Sequence, residues 1–471
     1  MATVKVVESE LVFPGEETPN HRLWLSNLDI MHALKLPTPL LYVYYPNGDS
    51  DFFNVAALKL GLSKALVPYY PLAGRLNKGP DGRLEIDCNS KGALFVVAHS
   101  ETCIDEFGDF LPSPEMRRLL TPSIPVDDPA VLLMVQVTFF KGGEVILGLA
   151  WNHVVGDGVS LNSFMTSWCK MTQGITELGN PPIHDRTILR ARSRPKVTFD
   201  HVGNQLPTQI HSAQSPTTCS IFKLTKSQLA FLRKNNKFST FDVVGAHVWR
   251  CVCIARGLGR DQEARLNFPI DARGHLRPPL PNSYFGNVVC RLVVVATVDD
   301  IISNPIDFTA HKIRGEIKKV NDEYVRSYID HLEVSTKKKL MLTPAERNTT
   351  ESTMLPKDSS NSSPSCEPES IAPQTQDNFL LTPSKMDFGV VSWLGFPFSG
   401  TDFGWGKPKI LRRANISHGC YAYAMDSLVN DGEVLVPVLL ETENMERFKK
   451  AFSEQLSMHS VERMEKPRSK Y

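Results

Sequence analysis

The stretch from residue 135 to residue 168 constrains the fold of this chain most strongly, because its hydrophobic pattern changes period within it. Over 135–139 apolar residues alternate with polar ones, and a Lys-Gly-Gly-Glu turn then leads into the apolar run Val145–Trp151. This pattern predicts a β-hairpin. Beyond the glycines of the next turn, apolar residues recur at helical spacing over 161–168, with Ser160 as the expected N-cap. Two strands followed by a helix predict a mixed α/β chain.

The length and two shifts in composition indicate how the chain is divided. A chain of 471 residues exceeds what one hydrophobic core usually supports, which predicts two domains. We place an N-terminal domain over 1–185, a crossover linker with weak periodicity over 186–220, and a C-terminal domain over 221–471. Within the last, 345–378 is dense in Ser, Thr, Pro and Asn. Such a segment buries too little surface to offset its ordering entropy, so we expect a disordered insertion there.

The charge balance and the hydropathy exclude several classes of partner. Lysine and arginine number 52 against 51 aspartates and glutamates, so no overall basic field attracts nucleic acid. No uninterrupted apolar run is long enough for a membrane span. Nine scattered cysteines without a pairing pattern are typical of a reducing compartment, so we expect a cytoplasmic protein, and we expect a monomer.

Cys251 and Cys253 are close together in the sequence and raise the question of a metal site. They lie in a segment that begins with a capping-box pattern at Ser239 and Asp242 and is predicted to be a helix. Residues two apart point to different faces of a helix, so these thiols are not placed to share one ion. We predict packing cysteines and no bound metal.

The segment AWNHVVGDGVS, at 150–160, holds the strongest candidate for chemistry. His153 and Asp157 stand four residues apart at the end of a predicted strand, and nearby glycines permit a tight turn. A neutral imidazole within reach of a hydroxyl or amine proton is a general base near neutral pH. The same pattern also fits a core histidine beside a helix-entry aspartate, and spacing alone does not separate the two. A metal pair at this spacing needs a helix, which the glycines disfavour, and no nucleophile-elbow motif is present.

The pair of motifs HVVGDG, at 153–158, and DFGWGKP, at 402–408, resembles the signature of the plant BAHD acyltransferases. That family transfers acyl groups from coenzyme A thioesters to alcohols or amines. Further segments extend the resemblance over nearly the whole chain outside the insertion and the tail: YPLAGR at 70–75, STFDVVGAHVWR at 239–250, IDARGHLRPPLPNSYFGN at 270–287 and FGVVSW at 388–393. Within the family, LWLSNLDI at 23–30 and DRTILRAR at 185–192 resemble the hydroxycinnamoyl-CoA branch.

The resemblance implies a fold and a set of site residues. The fold is two chloramphenicol-acetyltransferase-like domains, each a mixed sheet with flanking helices, with the active histidine in a channel at their interface. His153 is then the base, and Asp157 is mainly structural and pairs with Arg273. The resemblance also places Asp402 in the catalytic set, although its motif is expected away from the direct chemistry. Residues expected to shape the site without acting chemically are Gly158, Gly404, Trp405 and Gly406.

The same resemblance predicts the residues that bind the acceptor, and this chain differs from the family pattern at two of them. Tyr42 matches an acceptor-side tyrosine of the branch, and Trp393 lies in the expected acceptor loop. Shikimate-using relatives carry a motif similar to TSWVRLP, whose arginine pairs with the acceptor carboxylate, whereas this chain has VSWLGFP at 391–397. Val391 and Gly395 therefore stand where the threonine and the arginine are expected. If Gly395 faces the acceptor, we expect poor use of shikimate or quinate.

The function implied is transfer of a hydroxycinnamoyl or related aromatic acyl group from a coenzyme A thioester to a hydroxyl acceptor such as shikimate or quinate. Acyl-CoA is the donor substrate and no cofactor is bound permanently, so the expected partners are small molecules. Two alternatives stay open. One is an N-acyltransferase that forms amides with an aromatic amine or a polyamine, and the other is a catalytically silent relative that binds acyl-CoA.

Overall fold

The computed structural model describes residues 3–33, 35–177, 179–201, 215–233, 237–341, 385–416, 419–429 and 432–461. The insertion expected at 345–378 lies outside them. The strands within the described residues are β1 (Lys5–Val12), β2 (Arg22–Trp24), β3 (Thr38–Tyr44), β4 (Arg75–Lys78), β5 (Leu84–Asp87), β6 (Ala93–Ser100), β7 (Leu133–Phe140), β8 (Val145–Trp151), β9 (Thr217–Leu224), β10 (Glu263–Asp271), β11 (Val289–Thr297), β12 (Asp387–Ser392), β13 (Ile410–Arg413), β14 (Tyr421–Asp426) and β15 (Val434–Glu441). The α-helices there are α1 (Asn27–Ile30), α2 (Val55–Ala65), α3 (Pro114–Leu120), α4 (Gly158–Thr172), α5 (Lys226–Leu232), α6 (Thr240–Arg256), α7 (Val298–Ser303), α8 (Ile306–Lys318), α9 (Asp322–Met341) and α10 (Thr442–Val461). None of these helices is long and apolar enough to cross a bilayer.

Two six-stranded sheets organise the chain. The first has the strand order β1-β6-β7-β8-β3-β13 and the second β11-β10-β12-β14-β15-β9, while β2, β5 and β4 form a small third sheet. The first sheet contains the predicted hairpin, in which β7 and β8 are antiparallel. The pairs β6–β7 and β10–β12 are parallel. Both large sheets are therefore mixed, and the predicted α/β class is confirmed.

The first sheet buries both of its faces, and this fixes the strand that leads to His153. Every residue of β8 is buried, as expected for a central strand with a continuous apolar sequence. On one face α2 and α4 pack against side chains such as Tyr42 and Leu149. On the other face α3 packs against the alternate positions, which include Leu41 and Ile146. The end of β8 is thus held from both sides.

Helix α6 packs in the core of the second sheet, and its ends follow the sequence signals. The predicted capping box is present, since the side chains of Ser239 and Asp242 each accept from the other's backbone N–H. The helix ends at Gly257, which has a left-handed φ of 61°. Cys251 and Cys253 are buried in the apolar core, and burial raises the pKa of both thiols. The prediction of packing cysteines is confirmed, and the described residues contain no group of three or more side chains that could hold a metal ion.

Strand β13 ties the two halves of the chain together. It lies within 221–471, the range predicted as the C-terminal domain, but it pairs antiparallel with β3, where Arg413 is opposite Leu40. The first sheet is therefore complete only after the chain has returned from the second. The bounds predicted for the two domains and the linker remain predictions.

Gly148, in the middle of β8, tests how closely the first sheet is packed. A Cβ at this position would overlap the backbone carbonyl oxygen of Leu120. We expect Gly148→Ala to lower the free energy of unfolding by about 1–3 kcal/mol, because backbone must shift to admit the methyl group. Gly315→Ala is the matched control, since a Cβ at this exposed position of α8 meets nothing within 4 Å. There we expect no loss, or a gain of up to about 1 kcal/mol. Equal losses in denaturant titrations of the two variants would contradict the close packing.

Candidate active site

His153 lies in the turn that joins β8 to α4. Trp151, the last residue of β8, donates its indole N–H to the carbonyl oxygen of Gly156 at 2.9 Å and so closes the turn. Gly156 suits this position, because a Cβ there would come within 2.6 Å of the Ser160 side chain. The half-buried imidazole of His153 is therefore presented at the end of a rigid, buried strand.

Asp157 caps α4 and ties it to the second half of the chain. Its Oδ1 accepts from the backbone N–H of Ser160 at 3.1 Å, so Asp157 is the N-cap of α4. The prediction that Ser160 is the N-cap is therefore wrong. The hydroxyl of Ser160 is instead engaged with the carbonyl oxygen of Gly286. Arg273 donates to both carboxylate oxygens of Asp157, at 2.8 and 2.9 Å, and both side chains are buried. Burial alone would raise the pKa of Asp157, but the charge and hydrogen bonds of Arg273 outweigh it and lower that pKa.

Asn287 fixes the orientation and the tautomer of His153. Its Nδ2 donates to Oδ1 of Asp29 and to the backbone carbonyl oxygen of His153, both at 2.9 Å. The Oδ1 of Asn287 is thus the atom that faces Nδ1 of His153, at 3.0 Å. An amide oxygen only accepts, so this network assigns the proton of the neutral imidazole to Nδ1. Nε2 keeps a free lone pair, which is what a general base requires.

Asp29, in α1, anchors this arrangement from behind. Its Oδ1 also accepts from the backbone N–H of Asn287 at 2.9 Å and lies 3.1 Å from the guanidinium of Arg186. Its Oδ2 closes a capping box with Ser26. Arg186 in turn donates to the carbonyl oxygen of Val155 at 2.5 Å, inside the turn that carries the histidine. Three segments far apart in sequence therefore meet behind the imidazole.

The sequence alone predicts no role at the site for Asn287, Asp29 or Arg186. All three stand in segments that carried the family resemblance. Asp29 and Asn287 are 258 residues apart, so no local spacing could indicate their contact. The one available signal was the charge of Asp29 within an otherwise uncharged segment at 23–30.

Basic side chains surround the imidazole of His153. The ring of His32 stacks on it, with centroids 4.0 Å apart and planes 19° apart. The Nζ of Lys35 lies 3.0 Å from Nδ1 of His32. Burial, and then the charges of Lys35 and Arg413, lower the pKa of His153 to about 4. Burial, and then the neighbouring basic groups, also lower the pKa of His32. Both rings are therefore neutral at neutral pH.

The loop after β12 holds two of the predicted acceptor residues, Trp393 and Gly395, and lies beside the start of α4. The ring of Phe396 would be 3.2 Å from a Cβ on Gly158, which explains why glycine follows Asp157. Gly395 is exposed, has a φ of 73°, and donates its N–H to the carboxylate of Asp426 at 2.6 Å. This loop is therefore close to the turn that carries the histidine.

The other two predicted acceptor residues lie deeper in the sheets. Val391 is half-buried in β12, where it pairs with Tyr423. Tyr42 is fully buried in the core of the first sheet, and its hydroxyl has no hydrogen-bond partner among the described residues. For both side chains the acceptor role stays a prediction.

The DFGWG loop lies at the opposite end of α4 from the histidine. The Oδ1 of Asp402 accepts from the backbone N–H groups of Gly404 and Gly406, at 2.8 and 2.9 Å. Gln173, which caps the C-terminus of α4, donates to the carbonyl oxygen of Asp402 at 2.7 Å. A helix of 15 residues is about 22 Å long, so the loop is separated from His153 by nearly that length. The carboxylate of Asp402 thus organises its own loop at a distance from His153, and its place in the catalytic set stays a prediction.

The glycines of this loop are required by its shape. Gly404 and Gly406 have φ values of 107° and 106°, which other residues rarely adopt. Trp405, between them, packs against the ring of Phe53 with centroids 5.3 Å apart. The loop thus covers one end of the core between the first sheet and its helices.

The family model described as the Transferase family matches residues 2–455, nearly the whole chain. The chain belongs to this family, the BAHD acyltransferases. It is accordingly an enzyme, a CoA-dependent acyltransferase.

Among curated relatives, the chain is similar to shikimate O-hydroxycinnamoyltransferase of Nicotiana tabacum, with 37% identity over 95% of this chain and 98% of the relative. It is 37% identical to putrescine hydroxycinnamoyltransferase 1 of Oryza sativa subsp. japonica, over 96% and 99% of the two chains. Among solved structures, vinorine synthase matches with a TM-score of 0.69 and 23% identity, over 94% of this chain and 96% of that one. The match to vinorine synthase confirms the predicted fold.

The Asp157–Arg273 ion pair is expected to be essential for stability. Asp157→Asn removes the buried countercharge of Arg273 and leaves only the exposed carboxylate of Asp271 beside it, so we expect the free energy of unfolding to fall by about 3–5 kcal/mol. The matched control is Asp299→Asn, which removes an exposed ion pair with Arg260 and should change stability far less. Denaturant titration of both variants measures the difference. A similar small change in both would contradict the buried pair.

The low pKa of His153 can be measured by NMR titration of its ring. We expect a midpoint near 4 rather than 6.5, so that the neutral form persists as the pH falls through 6. Lys35→Met removes a cation that repels the imidazolium, so the pKa of His153 should rise. Lys59→Met removes a lysine that pairs with Glu8 and Glu10, and should leave the pKa unchanged. A midpoint near 6.5 in the wild-type enzyme would contradict the burial and charge described above.

Proposed function

We propose that this enzyme transfers a hydroxycinnamoyl or related aromatic acyl group from its coenzyme A thioester to a hydroxyl acceptor such as shikimate or quinate, with His153 as the general base. The names of the curated relatives support the acyl group. The observation that carries the catalytic role is the hydrogen bond from Nδ1 of His153 to Asn287, because it leaves Nε2 free to accept a proton.

The mechanism follows from the donor. A thioester is already activated, so the acceptor oxygen attacks the carbonyl carbon directly and no acyl-enzyme is needed. His153 takes the acceptor proton on Nε2 as the carbon–oxygen bond forms. The tetrahedral intermediate then collapses, the carbon–sulfur bond breaks, and the proton on Nε2 passes to the departing CoA thiolate. The imidazole is neutral again at the end of the cycle.

The surrounding residues position this base. Asn287 holds the imidazole in one tautomer, and Asp29 holds Asn287 through two hydrogen bonds. Asp157 and Arg273 fix the turn on which the histidine stands. Because the low pKa keeps the imidazole neutral, nearly all molecules carry the base form at neutral pH.

Amide formation is the second candidate, and the similarity to a putrescine hydroxycinnamoyltransferase favours it. An amine acceptor loses its proton to the same Nε2, so the catalytic residues are unchanged. The mass of the product distinguishes an ester from an amide. The alternative of a catalytically silent relative is disfavoured by the intact bond between His153 and Asn287.

The proposal also includes action as a monomer in the cytoplasm. The cysteines support a reducing compartment, since the eight that the structure describes are free thiols.

His153→Ala tests the proposed base. We expect kcat/KM for thiol release from p-coumaroyl-CoA, with shikimate or quinate as acceptor, to fall by roughly 10²–10⁴-fold. The melting temperature and the Kd for CoA should stay near the wild-type values, because the variant removes only a half-buried ring. His99→Ala is the matched control, since this exposed histidine lies on β6 and stacks on Phe139. Near-normal turnover in His153→Ala would exclude this mechanism.

A further inference from the structure

We propose that Lys35 and Arg413 form an anion site that binds the carboxylate of the acceptor beside His153. The inference rests on the proposed acyl transfer, and it adds the chemical class of the acceptor and two residues that select it. The site favours acceptors such as shikimate, quinate or anthranilate, and it disfavours a cationic polyamine.

The side chain of Lys35 is separated from His153 by the ring of His32. Its Nζ lies 3.0 Å from Nδ1 of His32, and the ring of His32 stacks on His153. In its ammonium form Lys35 can only donate, so His32 then accepts through Nδ1 and its neutral ring carries the proton on Nε2. That Nε2 is buried and has no hydrogen-bond partner among the described residues. A cation and an unused N–H donor, both able to stabilise an anion, therefore stand next to the base.

Arg413 approaches the same place from β13. It is opposite Leu40 in β3, two residues beyond Thr38, which pairs with Trp151 just ahead of the catalytic turn. The guanidinium carbon of Arg413 lies 5.0 Å from the ring centroid of Tyr423 and 6.0 Å from that of Trp393. Its Nε donates to the carbonyl oxygen of Asn415 at 3.3 Å. The arginine thus lies against the loop predicted to hold the acceptor.

The acidic groups near the base are already occupied by other arginines. Asp157 is paired with Arg273, and Asp29 with Arg186. In the part of the chain that the structure describes, neither Lys35 nor Arg413 forms an ion pair with a carboxylate. Among these residues no carboxylate therefore balances the two charges, although Arg413 also packs on the ring of Tyr423.

Lys35 is buried close to two arginines, and a bound anion would favour its charged form. Burial, followed by the charges of Arg291 and Arg413, lowers the pKa of Lys35 to about 7. A carboxylate close to the ammonium would reverse part of this effect, because it favours the charged form. A cationic acceptor would add to the repulsion.

Two ligands of this enzyme class carry anionic groups, and the position of the cations favours the acceptor. The phosphates of CoA are separated from the thioester by the whole pantetheine arm. The hydroxyl or amine of the acceptor, by contrast, must lie at Nε2 of His153 when it reacts. Lys35 and Arg413 would supply the charge that Gly395 lacks.

Equilibrium binding without an acyl donor tests this site separately from catalysis. Shikimate, quinate and anthranilate are each compared with their own methyl esters by calorimetry, on the wild-type enzyme and on Lys35→Met and Arg413→Met. We expect at least one acid to bind the wild type roughly tenfold or more tightly than its ester, and either substitution to remove most of that preference. Arg412→Met is the matched control, because this neighbour points to the other face of the sheet, toward the carbonyl oxygen of Asp109. It should keep the preference.

The wild-type comparison decides the question even if a variant folds poorly. The anion site is overturned if every acid binds the wild type no more tightly than its ester, or if the preference survives both substitutions. It is also overturned if the variants lose affinity for CoA instead of the acid, since the cations would then serve the phosphates. Thiol release from p-coumaroyl-CoA is measured in parallel. Its absence with every acceptor counts against the proposed function, whereas turnover without an acid preference counts against the anion site alone.

Discussion

The buried ion pair between Asp157 and Arg273 is the contact on which the site depends. It joins the turn after β8, in the first sheet, to the segment that connects β10 with β11 in the second. The same carboxylate accepts backbone N–H groups from both sides, from Ser160 in α4 and from Val288. Removing one partner of such a pair leaves a buried charge uncompensated. The place of His153 is therefore set by a partner of Asp157 that lies 116 residues further along the chain.

A second polar network decides what the histidine can do chemically. Asn287 is held by Asp29 and leaves only its carbonyl oxygen for the imidazole, so the free lone pair stays on Nε2. Buried networks of this kind specify one arrangement when every member is satisfied. Among the described residues, the carboxylate of Asp402, by contrast, accepts hydrogen bonds only from the backbone of its own loop, at Gly404 and Gly406. It therefore stabilises that loop and does not contact the histidine.

The positive charges around His153 have two opposite effects on its proposed role as a base. Burial and the nearby cations keep the imidazole neutral, and the same cations oppose the positive charge that the proposed mechanism places on the ring when Nε2 takes a proton. With a carboxylate bound at the proposed anion site, that opposition is reduced as the acceptor arrives. Acceptor binding and proton transfer are then linked, because the anion that holds the acceptor also stabilises the protonated base.

Features that depend on neighbours along the chain could be predicted from the sequence. The hairpin of β7 and β8, the capping box of α6 and the packing of Cys251 and Cys253 followed from hydrophobic period and cap chemistry, and two short motifs indicated the family. Other features became visible only in the folded chain: Asp157 and not Ser160 caps α4, Asn287 orients His153, and Asp402 lies a helix length from His153. The fold also places Lys35 and Arg413 near His153. The cap bond of Asp157 is itself local, but the hydroxyl of Ser160 is taken by Gly286, 126 positions away. The other outcomes likewise depend on contacts between residues more than a hundred positions apart or on the length of a packed helix, which local spacing does not reveal.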